Sequence, residues 1–238
     1  MADAPDERHL DGFDPYDALD AEAARIDTLL RAMAAGDLDD VWDRPSRCEG
    51  WSVRDVVAHL AATEEYHHAC LDGQVQQFIA DGLAAGYTSL DDFNQGGIDA
   101  WRDMPIAELV DEWAVADAET RRRLREGDGG DIDSTVGPYP LRWQAFHVAM
   151  ELATHADDIA LPVTPDEAAD RLAWRAAFSR FALTEKDPAA TVEAADGGTH
   201  VVVGGFDAVV DDETLVAGVA GRLDDDADPT LVAALVAH

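Results

Sequence analysis

Basic residues are scarce in this chain of 238 amino acids. Lysine and arginine number 17, with Lys186 the only lysine, against 36 Asp and 14 Glu. A net charge of -33 argues against nucleic acid or an anionic membrane surface as a partner, because both would repel it. Cysteine is nearly absent: Cys48 and Cys70 cannot build a disulfide framework or a thiolate zinc cluster. No apolar run approaches the roughly 20 residues that span a bilayer. The opening stretch MADAPDERHLDGFDP has neither the basic nor the apolar segment of a secretory signal. These absences predict a cytoplasmic protein, and a monomer or homodimer is expected.

What is present argues against disorder in spite of the acidity. Hydrophobic residues make up 47% of the chain and recur with helical spacing. The acids are spread along the sequence rather than gathered in a tail. That distribution fits a solvated surface suited to high intracellular salt, where screening weakens self-repulsion. The plainer alternative is an unusually acidic protein from a GC-rich mesophile.

Helical spacing of Leu19, Ala23, Ile26, Leu29, Leu30 and Met33 predicts a first helix that Gly36 ends. Ser52, with Asp55 at the capping-box position, predicts the start of a second helix running towards Gly73 or beyond. Residues 84–100 read as a connection with a short helix from about Leu90 to Trp101. A third long helix fits Pro105 to Arg125, with Leu109, Val110, Trp113, Val115 and Ala116 turned inward. The composition of EGDGGDIDSTVGPYP predicts a loop, and a fourth helix follows from about Leu141 to Ala160. The whole suggests a mainly α chain: a four-helix bundle over 1–162, then a small α+β domain over 163–238. In the second part a helix over Pro165 to Leu183 precedes three short strand-like runs, ATVEA, THVVVGG and FDAVV. Helical stretches Asp212 to Arg222 and Asp228 to His238 close it.

The chemistry concentrates in QAFHVAMELATHADDIA, residues 144 to 160, where His147, Glu151 and His155 recur every four residues and share a helix face. The apolar neighbours Phe146, Val148, Met150, Leu152 and Ile159 predict that much of this helix is buried. A buried Glu needs a cation or a hydrogen-bonding partner. His59, amid Val56, Val57 and Leu60, is the best third ligand from another helix. Two imidazoles and one carboxylate suit a divalent metal, zinc first among them. Glu64 and His68 have the same Glu-x-x-x-His spacing, but they stand in TEEYHH, a polar cluster that reads as a solvated or intrahelical pair.

Two segments resemble a known family. CEGWSVRDVVAHL is similar to the N-terminal signature of the mycothiol-dependent maleylpyruvate isomerase family, within the DinB-like metal-binding bundles. ELATHADDI resembles that family's second motif, 92 residues on from His59 to Glu151. The resemblance implies a DinB-like four-helix bundle, His59, Glu151 and His155 as metal ligands, and Asp158 as the Asp that follows the second His. It also implies a low-molecular-weight thiol, mycothiol or another, as cofactor for isomerisation or thiol transfer on a small activated, carboxylate-bearing substrate. TLVAGVAGRL resembles the family's Gly-Arg segment, which makes Arg222 a candidate catalytic and cofactor-binding residue through its grip on an anion. His147 lies outside the family pattern and reads as an edge or supporting residue. Cys48 and Trp51 match the first motif but are most simply packing. A non-catalytic metal- or ligand-binding protein and a metal-dependent hydrolase remain alternatives on the same scaffold.

Overall fold

The computed structural model describes residues 4–36 and 39–236. They divide into two compact units, one of residues 15–162 and one of residues 163–236 joined by residues 4–14. The larger unit is helical. α1 spans Pro15–Ala35, and the single-turn α2 spans Asp39–Trp42. α3 runs Val53–Leu71, α4 Val75–Ala85, α5 Leu90–Trp101 and α6 Ile106–Glu126. A hairpin of β1 (Asp131–Ser134) and β2 (Gly137–Pro140) leads into α7, Leu141–Asp158.

The apolar stripes dictate how these helices pack. Leu19, Ala23, Ile26 and Leu30 of α1 are buried, and α1 lies along both α6 and α7. α3 packs on α6 and α5 through Val56, Val57 and Leu60. Among the described residues the backbones of α3 and α7 make few close approaches, and the pair meets through side chains such as His59 and Glu151. The long helices therefore form a ring with one loosely closed seam, and the seam is where the site lies. Ser52 accepts from the backbone N–H of Asp55, whose carboxylate accepts from Ser52 N–H in return, so the capping box fixes where α3 begins.

Three expectations need correction. α3 stops at Leu71, because Gly73 takes a left-handed φ of 68° that ends the helix, and α4 starts anew beyond it. Val115 is 70% exposed rather than inward. The buried stripe of α6 is Leu109, Trp113, Asp117, Thr120 and Leu124, and Val115 sits two residues off it, about 200° around the helix. The segment read as a loop holds a real hairpin, four residues a strand, with Ser134 paired to Gly137 across a two-residue turn.

The smaller unit opens with a 3₁₀ turn, Glu7–Leu10. α8 spans Pro165–Lys186 and starts from a capping box between Thr164 and Glu167. β3 (Thr191–Ala195), β4 (Gly198–Val203) and β5 (Phe206–Val210) form an antiparallel meander. Its buried face carries Val192, Val201 and Val210. Gly198 has φ 146°, and a Cβ there would fall 2.0 Å from Val210 O, so the turn of the first hairpin needs glycine. α9 (Asp212–Val219) and α10 (Pro229–Leu235) close the unit. α9 ends short of Arg222, and the expected end of the last helix at His238 lies outside the described residues. The chain is thus a mainly α domain followed by a small α+β part.

Replacing Ser52 by Ala removes one half of the α3 cap. The expected cost is about 1 kcal/mol, seen as a lower denaturation midpoint at unchanged slope. An unchanged midpoint would show that the cap is redundant with the remaining Asp55 contacts.

Candidate metal centre

α3 and α7 each bring part of one cluster to the seam. His59 lies in the apolar first half of α3 and is 7% exposed. Its Nε2 is 3.4 Å from Glu151 Oε1 of α7. The His59 and His155 rings meet edge to face with centroids 4.8 Å apart. One ligand atom from each of His59, Glu151 and His155 lies within 4.8 Å of the other two. His59, 92 residues before Glu151 in the sequence, is thus brought against the Glu151 and His155 pair of α7. The Glu151 side chain keeps 31% of its area exposed, less buried than its neighbours implied, so the cluster opens to solvent on that side. Trp51, just before α3, lies against the His59 ring at a centroid distance of 5.0 Å.

Electrostatics holds Glu151 and His155 in charged form. Burial alone would raise the Glu151 carboxyl, but its bond to His59 and the nearby His67 and His155 bring it down to about 2. Burial likewise opposes charge on His155. The Asp158 carboxylate, the Cys48 side chain and the Glu151 charge outweigh it and carry that imidazole up to about 9. His155 Nδ1 is 3.1 Å from Asp158 Oδ2, and Asp158 is almost fully enclosed. The Cys48 thiol donates to the same oxygen at 3.1 Å. The loop carrying Cys48 is tied to the end of α7, with Arg47 N–H donating to Asp158 O at 3.0 Å.

His147 stands outside this cluster. It pairs with the Tyr139 hydroxyl of β2 at 2.9 Å, at the hairpin edge of the helix. Arg222 follows α9 in the smaller unit. Its backbone N–H donates to Ala217 O at 2.7 Å, and its guanidinium donates to Ala220 O at 3.2 Å.

The sequence reading missed a second polar group. In the TEEYHH cluster, Glu64 and His67 are 2% and 6% exposed, and they pair along the helix. Glu64 Oε2 accepts from the Thr120 hydroxyl at 2.5 Å and lies 3.4 Å from His67 Nδ1. His68, the residue that shares its spacing, points instead towards Ala116 O at 3.3 Å. Asp117, one turn from Thr120 on α6, is also buried and accepts from Arg121 Nε at 2.8 Å. Its second oxygen has no hydrogen-bond partner among the described residues. Burial and the adjacent Glu64 charge push the Asp117 carboxyl up to about 6, against the pull of Arg121. The clue in the sequence was the 3.6-residue stripe of α6, on which Asp117 and Thr120 fall.

Residues 19–160, more than half of the chain, match the family model described as the mycothiol maleylpyruvate isomerase N-terminal domain. The chain belongs to that family. The matched stretch contains Cys48, His59, Glu151, His155 and Asp158, whereas Arg222 lies beyond it. No curated protein and no solved structure matches the chain. No helix among the described residues is long and apolar enough to cross a membrane. Membership in the mycothiol maleylpyruvate isomerase family brings a theme of thiol and metal, and the structure provides residue groups able to hold an ion.

Asp117 generates a pH dependence of stability. Its folded pKa, about 6, lies above the ordinary 3.8, so the fold holds that proton more tightly than the unfolded chain does. The resulting stabilisation is complete below about pH 4 and is lost as pH rises to about 6. Relative to Asp117→Asn, the wild type should lose about 3 kcal/mol of unfolding free energy across that window and stay level above it. Parallel stability curves for the two proteins would refute the assignment.

Proposed function

We propose that this protein is a metal-dependent enzyme that uses a low-molecular-weight thiol to isomerise, or transfer the thiol to, a small activated substrate bearing a carboxylate. The observation that carries the reading is the convergence of His59, Glu151 and His155 within 4.8 Å at a seam open on the Glu151 side. Two imidazoles and a carboxylate form a donor set suited to zinc, and three protein ligands leave a position for an exchangeable group. Bound there, a divalent ion would lower the pKa of a thiol enough to supply thiolate at neutral pH.

The chain's own residues prepare that chemistry. Glu151 is already ionised, and it offsets one positive charge without first losing a proton. Asp158 engages His155 Nδ1, which fixes the ring orientation and leaves Nε2 to offer a lone pair. Trp51 covers one side of His59 and limits the approach of water from there. For a thiol, reversible addition to a conjugated double bond frees rotation and elimination returns the isomer, while retention of the thiol gives transfer. Arg222 is the proposed anion contact for a carboxylate, on the resemblance of its Gly-Arg segment. Mycothiol is the thiol the family description names, and a relative of it would fit the same donor set.

Zinc binding tests the reading directly. One ion per chain is expected for the wild type, with His155→Ala losing it and His59→Ala weakening the affinity at least about tenfold. A wild type that takes up no ion after reconstitution would overturn the proposal. Because the metal must displace the proton that His155 holds up to about pH 9, affinity should fall about tenfold for each pH unit below that value. Chelator competition from pH 6 to pH 9 measures this slope, and a flat profile would show that His155 gives up no proton.

A further inference from the structure

His155 belongs to two donor clusters, and the second contains a thiol. Cys48 Sγ, His155 and Asp158 each offer one ligand atom, and these atoms lie within 4.8 Å of one another. The separations are 3.1 Å from Sγ to Asp158 Oδ2, 3.1 Å from Oδ2 to His155 Nδ1, and 3.9 Å from Sγ to Nδ1. Around a tetrahedral zinc-like ion, with bonds of about 2.0 to 2.3 Å, such atoms stand about 3.3 to 3.6 Å apart. Each observed separation is within about half an ångström of that range. The donors are also held in place before any ion arrives. Ser46 N–H donates to Trp51 O at 2.9 Å, Trp51 N–H to Cys48 O at 3.0 Å, and Arg47 N–H to Asp158 O at 3.0 Å. Cys48 is half-buried, which leaves a path for an ion to enter.

We propose that Cys48, His155 and Asp158 form a second, thiolate-containing site for a thiophilic divalent ion, and that it shares His155 with the first site so that only one of the two is filled at a time. A thiolate and a carboxylate neutralise a divalent charge, and a neutral imidazole completes the set. Binding releases the thiol proton and any proton on His155 Nδ1, so the charge balances at the ion. A neutral imidazole has one lone pair to give, which is why the two sites exclude each other. Ligand softness separates them: a thiolate favours soft cadmium, while the His59, Glu151 and His155 set suits the less soft zinc. The inference takes the first site from the proposed function, but the thiolate site stands on its own donors.

Cadmium alone is the probe, titrated into the full chain and followed by its thiolate-to-metal absorption and by metal content. The wild type is expected to take up one cadmium ion with the thiolate absorption, and Cys48→Ser to lose the absorption although Cys70 remains. His59→Ala, which damages only the first site, is expected to keep both the ion and the absorption. Absence of the thiolate absorption in the wild type overturns the second site, whatever the zinc experiment shows. Its loss in His59→Ala also overturns the site, because Cys48 would then be a ligand of the first centre. Two ions held together in the wild type overturn the exclusion. If zinc binding ignores His59 while the Cys48-dependent absorption persists, the first site fails and the second stands. Because Cys48→Ser could perturb the loop, Asp158→Asn serves as the second variant. It should weaken cadmium about tenfold or more while retaining the absorption of the bound fraction.

Discussion

The Asp158 carboxylate, enclosed at the end of α7, is the contact on which the site depends. A buried carboxylate without donors is costly, so whatever surrounds it must donate. Here the donors are the imidazole of His155 and the thiol of Cys48, both on the same oxygen. This one requirement orients the ring that Glu151 and His59 also need, and it ties the loop before α3 to the end of α7. Removing it would free His155 to rotate, and the seam between α3 and α7 would lose the side chain that both clusters share.

The seam itself follows from how apolar surface is distributed. α1 joins α6 and α7 through continuous apolar stripes, and α3 does the same with α6 and α5. Between α3 and α7 the polar side chains of His59, Glu151 and His155 meet, and the two backbones make few close approaches. A gap lined by His59, Glu151 and His155 is therefore a consequence of composition, with the remaining contacts holding it open. The Glu64, His67, Thr120 and Asp117 group lies along the α3 and α6 contact instead, where the helices do close. There the polar groups satisfy one another except for one oxygen of Asp117. The charges of His67 and Glu151 reach each other, which links the two groups electrostatically.

Much of this was legible in the sequence, and the parts that were not share a cause. The four long helices announced themselves through apolar spacing, caps and glycines, and Ser52 with Asp55 marked the start of α3 correctly. His59, Glu151 and His155 were readable because each is a polar residue on an otherwise apolar stretch, where burial demands a partner. Glu64 and His67 gave no such signal, since their own neighbours are polar and it is α6 that covers them. The apolar neighbours of Val115 suggest an inward position, but only every third or fourth residue of a helix shares a face. The hairpin from Asp131 to Pro140 was hidden by glycine, proline and aspartate, which favour turns and say little about a four-residue ladder. What single-helix periodicity cannot supply is the identity of the neighbour across an interface.

That limit bears on Cys48 most of all. In sequence it is a lone cysteine before a helix, and packing was the simpler account. In the structure it stands 3.9 Å from a ring nitrogen of His155 and 3.1 Å from Asp158, two residues more than a hundred positions away. A thiol at that distance cannot be neutral to the chemistry of the ring. It donates to the carboxylate that steers His155, or it yields its proton to an ion that takes the same three donors. In the proposed second site an ion would take the His155 lone pair and the Asp158 carboxylate that otherwise orients the ring, so filling it would withdraw His155 from the first cluster. Under that proposal, the softness of an ion and the availability of protons would decide between the imidazole cluster and the thiolate cluster.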